Sequence, residues 1–235
     1  SSKGKIRIEP GATLVLDGGA LLLGPFRDVC NERSGDSRFW KGIEMVPSAS
    51  TPSAKFLCYN GVMATSELGI HTPAGSTGNY IININGMTFQ DNAKSLLLMN
   101  PAGMTYPIQI ENSSFTITNA FPLTSYSTQI KVDKCNVILL NCKFLKPGNN
   151  KPTDELNYAV NVMNTVLNVS YSQFRDSIYG IKAQSFLDRT TFSVTNSSFV
   201  NCKVGIRAMP GLNFYKVVSD TFDNPIQYGL WSTMC

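Results

Sequence analysis

FSVTNSSFVNCKVGIR, residues 192–207, alternates apolar and polar side chains, turns at Asn196-Ser197, presents Phe199, turns again and closes on Gly205-Ile206. One such stretch is an ordinary strand–turn–strand. Here it recurs. Aligned on the phenylalanine, it appears as ININGMTF ending at Phe89, IQIENSSF at Phe115, VILLNCKF at Phe144, LNVSYSQF at Phe174, SVTNSSF at Phe199 and VVSDTF at Phe222, with successive phenylalanines 23 to 30 residues apart. Three residues before each Phe stand Gly86, Asn112, Asn141, Tyr171, Asn196 and Ser219, mostly residues that accept tight turns. Two after it stand Asp91, Ile117, Lys146, Asp176, Asn201 and Asn224. A Gly-aliphatic pair closes several repeats: Gly42-Ile43, Gly69-Ile70, Gly180-Ile181, Gly205-Ile206 and Gly229-Leu230.

A repeat of two or three short strands of period two cannot bury its apolar side alone. Stacking solves this, because Val, Ile, Leu and Phe then line one continuous interior while backbone groups pair with the coils above and below. The expected fold is therefore all-β: a single-stranded right-handed parallel β-helix, a solenoid of roughly eight to nine coils. The leucine and asparagine spacing of a leucine-rich repeat is missing, blades would be longer and more regular in a propeller, and no long segment carries the i, i+3, i+4, i+7 pattern of a helical solenoid.

The repeat spans most of the 235 residues, so one elongated domain over 1–235 is expected. Charged residues make up only 15% and the formal net charge is +4; with no basic run and no aromatic–basic interleaving in sequence, nucleic acid is not an expected partner. No 18-residue apolar stretch exists to span a bilayer as a helix. The opening SSKGKIRIEP is not a signal peptide, so export would require one removed or lying outside this chain. Six cysteines, Cys30, Cys58, Cys135, Cys142, Cys202 and Cys235, form no CxxC pair and accompany a single histidine, His71, which argues against a structural zinc site; neither metal nor cofactor is expected. Cys142 and Cys202 sit in the repeat consensus and read as small buried residues. Cys30 and Cys58 flank the first complete coil and are the pair a disulfide would join in an exported protein.

Residues 5–23 form the first coil, with three apolar runs separated by turns. Polar, turn-rich excursions are expected at about 24–38, 100–107 and 146–157, and such loops carry what is specific to a protein. The last residues, QYGLWSTMC, follow a Gly-Leu pair with no capping element. An open end exposes strand edges, so the chain is expected to be a fragment that continues beyond Cys235 or to have this end covered by a partner.

IRIEPGATLVLDGGALLLG, FWKGIEM, YNGVMATSELGI and ININGMTFQDN together resemble the β-helical region of large secreted surface proteins of the Bacteroidetes, most specifically over residues 5–92; beyond that the chain resembles the generic pectate-lyase-like β-helix. The resemblance implies export to the outer cell surface, often by type IX secretion, with outer-membrane secretion machinery as a partner. It also implies that polysaccharide is held on the face formed after the closing Gly-aliphatic pairs.

The residue following each closing aliphatic should point outward in one column. Taking Leu98, Ile130 and Val160 as the aliphatic where Gly is replaced, the column reads Glu44, His71, Met99, Lys131, Asn161, Lys182, Arg207 and Trp231. Its candidate ligand-binding residues are Lys131, Asn161, Lys182, Arg207 and Trp231, with Tyr228 as a further ring for a sugar to stack on. Two readings compete for the basic members: like charges that keep an exposed sheet solvated and unpaired, or a groove for an anionic glycan. No catalytic residue is assigned. Glu44 and Asp133 lie on coils too far apart to share a calcium ion, and Asp176, Asp188, Asp220 and Asp223 fall at turns or strand edges, not across a cleft. His71 reads as an exposed strand-end histidine, and the sequons at Asn112, Asn168 and Asn196 read as turn residues.

The function expected from these features is a non-catalytic secreted or cell-surface β-helix, an adhesin or stalk with glycan or protein contacts. Its rivals are a polysaccharide lyase or glycoside hydrolase whose site is completed outside this chain, and a cargo or scaffold component of a secretion or gliding apparatus.

Overall fold

The structure, a computed structural model, describes residues 4–23, 40–49, 53–100, 106–118, 128–146, 158–185, 190–209, 212–225 and 227–232. Its strands are β1 (Lys5–Ile8), β2 (Thr13–Leu23), β3 (Gly42–Met45), β4 (Ala54–Ala64), β5 (Ile70–His71), β6 (Tyr80–Gln90), β7 (Leu96–Met99), β8 (Ile108–Glu111), β9 (Ser114–Thr116), β10 (Ile130–Asp133), β11 (Val137–Leu140), β12 (Lys143–Leu145), β13 (Tyr158–Met163), β14 (Val166–Ser170), β15 (Gln173–Arg175), β16 (Tyr179–Gln184), β17 (Thr190–Thr195), β18 (Ser198–Val200), β19 (Val204–Ala208), β20 (Leu212–Val218), β21 (Thr221–Asp223) and β22 (Tyr228–Ser232).

Every strand-to-strand pairing is parallel and joins equivalent positions of successive repeats. One nine-stranded sheet runs β1-β3-β5-β7-β10-β13-β16-β19-β22; the rest of the wall is a second sheet in which the long strand β6 pairs with both β8 and β9 and so divides into two files. The protein is thus an all-β parallel β-solenoid. Alternation explains which side is inside: in β10, β11, β13 and β14 every second residue is buried, as period two requires.

The phenylalanines form one interior file. Ring centroids are 4.7 Å apart for Phe89–Phe115, 4.6 Å for Phe115–Phe144, 4.8 Å for Phe144–Phe174, 4.8 Å for Phe174–Phe199 and 5.0 Å for Phe199–Phe222, all stacked. That spacing is the hydrogen-bonding distance between neighbouring strands, about 4.8 Å, so the ring stack and the backbone ladder reinforce one another.

The turn preceding each Phe is made by one left-handed residue. Gly86, Asn112, Asn141, Tyr171, Asn196 and Ser219 have φ of 77, 50, 52, 52, 51 and 57°, a region Asn tolerates because its short side chain bonds locally. Here the amides also bond along the axis: Asn112 Nδ2 donates to Asn85 Oδ1 at 3.0 Å and Asn141 Nδ2 to Asn112 Oδ1 at 2.8 Å. The residue after the turn supplies an inner ladder. Ser172 Oγ accepts from Cys142 N, Ser197 Oγ from Ser172 N and Asp220 Oδ1 from Ser197 N. Buried backbone groups at the corner are thereby satisfied between rungs. Asn112 and Asn196 are turn residues as expected, whereas Asn168 lies within β14.

The second turn is less uniform. Asp91, Asp176, Asn201 and Asn224 are left-handed, but Ile117 and Lys146 are not. There both side chains are buried instead of turning outward: Ile117 is 2% and Lys146 7% exposed. Lys146 was expected at the start of a solvated excursion and is instead a buried amine. The remainder of the expected excursions 100–107 and 146–157, apart from Asn100, Tyr106 and Pro107, and all of 24–38 lie outside the described residues.

Cys58, Cys135, Cys142 and Cys202 are free thiols, all buried. Cys142 and Cys202 are the small interior residues expected. Cys58, offered as a disulfide partner for Cys30, points into the core; Cys30 and Cys235 lie outside the described residues. Burial pushes the thiols up, to about 12 for Cys135 and about 11 for the other three, which suppresses thiolate chemistry.

Candidate functional site

The nine-stranded sheet turns one column of side chains outward. The register runs Arg7, Glu44, His71, Leu97, Lys131, Asn161, Lys182, Arg207, Trp231. It carries all five candidate residues in consecutive rungs. One expected member is corrected: Leu97, not Met99, occupies the fourth place, because Leu96 pairs with Ile70 and Ile130, and Met99 pairs with Asp133 two positions further on. The glycine position in that rung is taken by Ser95, whose carbonyl accepts from Ile70 N at 2.9 Å and whose hydroxyl donates to Gln129 Oε1 at 2.7 Å.

At the β1 end of the column the charges are neutralised. Glu44 Oε2 lies 3.0 Å from Lys5 Nζ and 3.6 Å from His71 Nε2, and Oε1 lies 3.6 Å from Arg7 Nε. Burial opposes ionisation of Glu44, yet Lys5, His71 and Arg7 together hold its carboxyl below the usual range. His71 is buried, not exposed as the sequence suggested, with Nδ1 3.3 Å from the Leu68 carbonyl; burial lowers its pKa against the pull of Glu44.

Towards β22 the charges are not neutralised. Among the described residues, Lys131, Lys182 and Arg207 take part in none of the ion pairs. Asp133, the nearest carboxylate along the strand from Lys131, accepts from Asn164 Nδ2 at 3.0 Å. Burial depresses Lys182 first, and the like charges of Arg207 and Lys131 add to it.

Aromatic rings hold two of these cations. Lys182 Nζ stands 5.0 Å over the Tyr158 ring, and Arg207 Cζ stands 5.3 Å from the Tyr179 ring and 4.4 Å from Trp231, distances at which a ring quadrupole attracts a cation. Arg207 Nη1 also donates to Tyr179 Oη at 3.2 Å. Tyr158 and Tyr179 stack at 4.9 Å, and with Ile178 and Val204 they form a separate apolar cluster against which Trp231 packs. Tyr228 lies 5.4 Å from Trp231. Sequence reasoning missed Tyr158 and Tyr179. A signal existed in Tyr158-Ala-Val-Asn161, Tyr179-Gly-Ile-Lys182 and Tyr228-Gly-Leu-Trp231, where a tyrosine three residues ahead of the column recurs at one register.

The arrangement is a row of half-buried cations, an amide and rings, each fixed by the rung beneath. It can attract an anion, hydrogen-bond it and offer an apolar ring face. It brings no two carboxylates across a cleft, and among the described residues no three His, Cys, Asp or Glu side chains gather to hold a metal. Among the same residues no helix is long and apolar enough to cross a membrane.

No protein-family model, no curated protein and no solved structure matches the chain. Architecture and face define its class: a parallel β-solenoid with a cation–aromatic row on one sheet.

Proposed function

We propose that the chain is a non-catalytic surface module that holds an acidic glycan along the Lys131–Trp231 row. The observation that carries this is the set of three cations that join no ion pair among the described residues, two of them clamped against tyrosine rings, when Glu44 at the other end of the same column is paired with Lys5 and Arg7. Cations placed only for solvation would sit on free stems; clamped ones have already lost the rotamer entropy that binding would otherwise remove. The resemblance to Bacteroidetes surface proteins supports export to the outer surface by a type IX route, in the role of adhesin or stalk.

The test is calorimetry and affinity electrophoresis with acidic and neutral polysaccharides. Binding to acidic chains alone, weakened at least tenfold by Lys182→Ala or Arg207→Ala and by added salt, is the expected result. Depolymerisation lost with the same substitutions would replace this reading with that of a lyase or hydrolase. Equal affinity for neutral chains would leave the basic row as a solvation device.

A further inference from the structure

The sheet that carries the basic row has a second outward column beside it. Side chains two positions apart on a strand share a face and lie about 6.7 Å from one another. Two positions beyond Leu97, Lys131, Asn161, Lys182 and Arg207 stand Met99, Asp133, Met163, Gln184 and Met209, on successive rungs. The first four of these pair in register, and Met209 joins them through its backbone N–H, which donates to the Ala183 carbonyl at 2.9 Å. Six methionines fall among the described residues: Met45, Met63 and Met87 are in the core, and the other three, Met99, Met163 and Met209, are half-buried in this one column.

Over the two columns, methionine and lysine take alternate rungs: Met99, Lys131, Met163, Lys182, Met209. Each kind recurs every second rung, about 9.6 Å. Stacking does not require this alternation, because outward side chains do not answer to the core. On the Met163 rung the lysine column holds Asn161, whose amide offers both a donor and an acceptor. Asp133 shares the Lys131 rung but stands on the methionine side, its Oδ1 accepting from Asn164 Nδ2 at 3.0 Å, so it turns an anion towards the lysine column. Arg207, on the Met209 rung and held against Tyr179 and Trp231, stands next to Lys182 and serves the same anion from one rung further on.

An extended glycan of pyranose rings advances by close to one rung per sugar. Were every sugar a uronate, a carboxylate would fall on the Met163 rung, where it would lose water against a thioether and gain no cation. Where acidic and N-acetylated sugars alternate, carboxylates meet Lys131 and Lys182. The acetamido group between them meets Met163 and Asn161, its methyl on an adaptable thioether and its amide on an amide.

Resting on the acidic-glycan reading above, we propose that the glycan held by this face alternates a uronic acid with an N-acetylhexosamine, the acid on the lysine rungs and the acetamido group on the methionine rungs. Met163 is then the residue that selects an alternating glycan over one charged on every sugar.

Calorimetry of the 235-residue chain with two oligosaccharides of equal length tests this: one of hyaluronan, in which glucuronate and N-acetylglucosamine alternate, and one of (1→4)-β-glucuronan, in which every sugar is a uronate. Hyaluronan should bind at least tenfold tighter. Met163→Gln should weaken hyaluronan at least fivefold and leave glucuronan unchanged. Met163→Lys, which puts a cation on the uncharged rung, should tighten glucuronan at least fivefold while weakening hyaluronan, and a gain of affinity cannot come from misfolding. Equal affinity for the two oligosaccharides, or Met163 variants that move both alike, overturns this proposal and leaves the acidic-glycan reading standing. Binding of neither oligosaccharide overturns both.

Discussion

Replacing Lys146 by methionine should stabilise the protein, and the gain should depend on pH in a way only a buried amine produces. Lys146 is 7% exposed and stands where the preceding rung has Ile117. Burial pushes its amine from 10.5 down to about 7, with a small opposing pull from Cys202. The folded pKa is thus below the unfolded one, and between the two values the unfolded chain binds more protons. Stability must then rise with pH over that interval. The penalty is fully present below about pH 7, where the folded state carries a buried ammonium, and is gone by about pH 10.5.

The gap between 10.5 and 7, at about 1.4 kcal/mol per pH unit, is about 5 kcal/mol. A methionine of similar length fills the same space without a charge. The advantage of the Lys146→Met variant over the parent should therefore shrink by about 4 kcal/mol between pH 6 and pH 10.5, with more than half of that change complete by pH 9. Urea unfolding followed by far-ultraviolet circular dichroism at several pH values between about 6 and 10.5 measures this. Titration of the tyrosines and of Cys58, Cys135 and Cys142 is common to both proteins and cancels in the difference, and Cys202, which feels Lys146, is pushed up to about 11, above this range. A difference that does not change with pH, or a less stable variant at pH 6, would refute the assignment of a buried amine at this rung.

Three further outcomes follow from the packing and the single histidine. Phe144→Ala removes a ring held at 4.6 and 4.8 Å between two others and should lower stability by about 3–5 kcal/mol, whereas Phe222→Ala, at the partly exposed end of the file, should lower it by less than half as much, both read from urea midpoints. Gly205→Ala places a Cβ 2.6 Å from the Gly229 carbonyl oxygen and 2.7 Å from the Phe222 ring; it should destabilise by about 1–3 kcal/mol, while Gly4→Ala, with nothing within 4 Å, should be neutral. His71, the only histidine, should titrate below 6.5 by nuclear magnetic resonance, and Glu44→Gln should move it lower still by removing the charge that favours the imidazolium. With its folded pKa depressed, His71 makes stability fall as pH drops below 6.5; an imidazole titrating above that value would reverse the sign.

What could be read from the sequence was whatever two periodicities over-determined. The Phe file and the left-handed turn three residues ahead of it are stated twice in every repeat, once by residue type and once by spacing, and both stand where expected. Reading failed where one of those signals was silent. In Leu96-Leu97-Leu98-Met99 every residue is apolar, so alternation cannot say which side faces in, and the register is set by Ser95 bonding to the rungs on either side. At Lys146 the left-handed turn residue is missing, and a side chain whose charge suggests solvent is buried. His71 was taken as exposed because nothing local announces that Glu44, 27 positions earlier in the chain, lies one rung away.

The same logic separates what the fold fixes from what it leaves open. Inward positions answer to the neighbouring rungs, so Phe, Ile and Val recur there whatever the protein does. Outward positions on the nine-stranded sheet answer to no such constraint, and along that one face the surroundings change from Glu44 among Lys5, Arg7 and His71 at the β1 end to Lys182, Arg207 and Trp231 at the β22 end. If solvation alone had shaped the column, mixed charge along its whole length would have served as well. Cations that among the described residues join no ion pair, two of them held over rings, in the same column where Glu44 is paired at the far end, are more simply the half of an interaction whose other half is an anion.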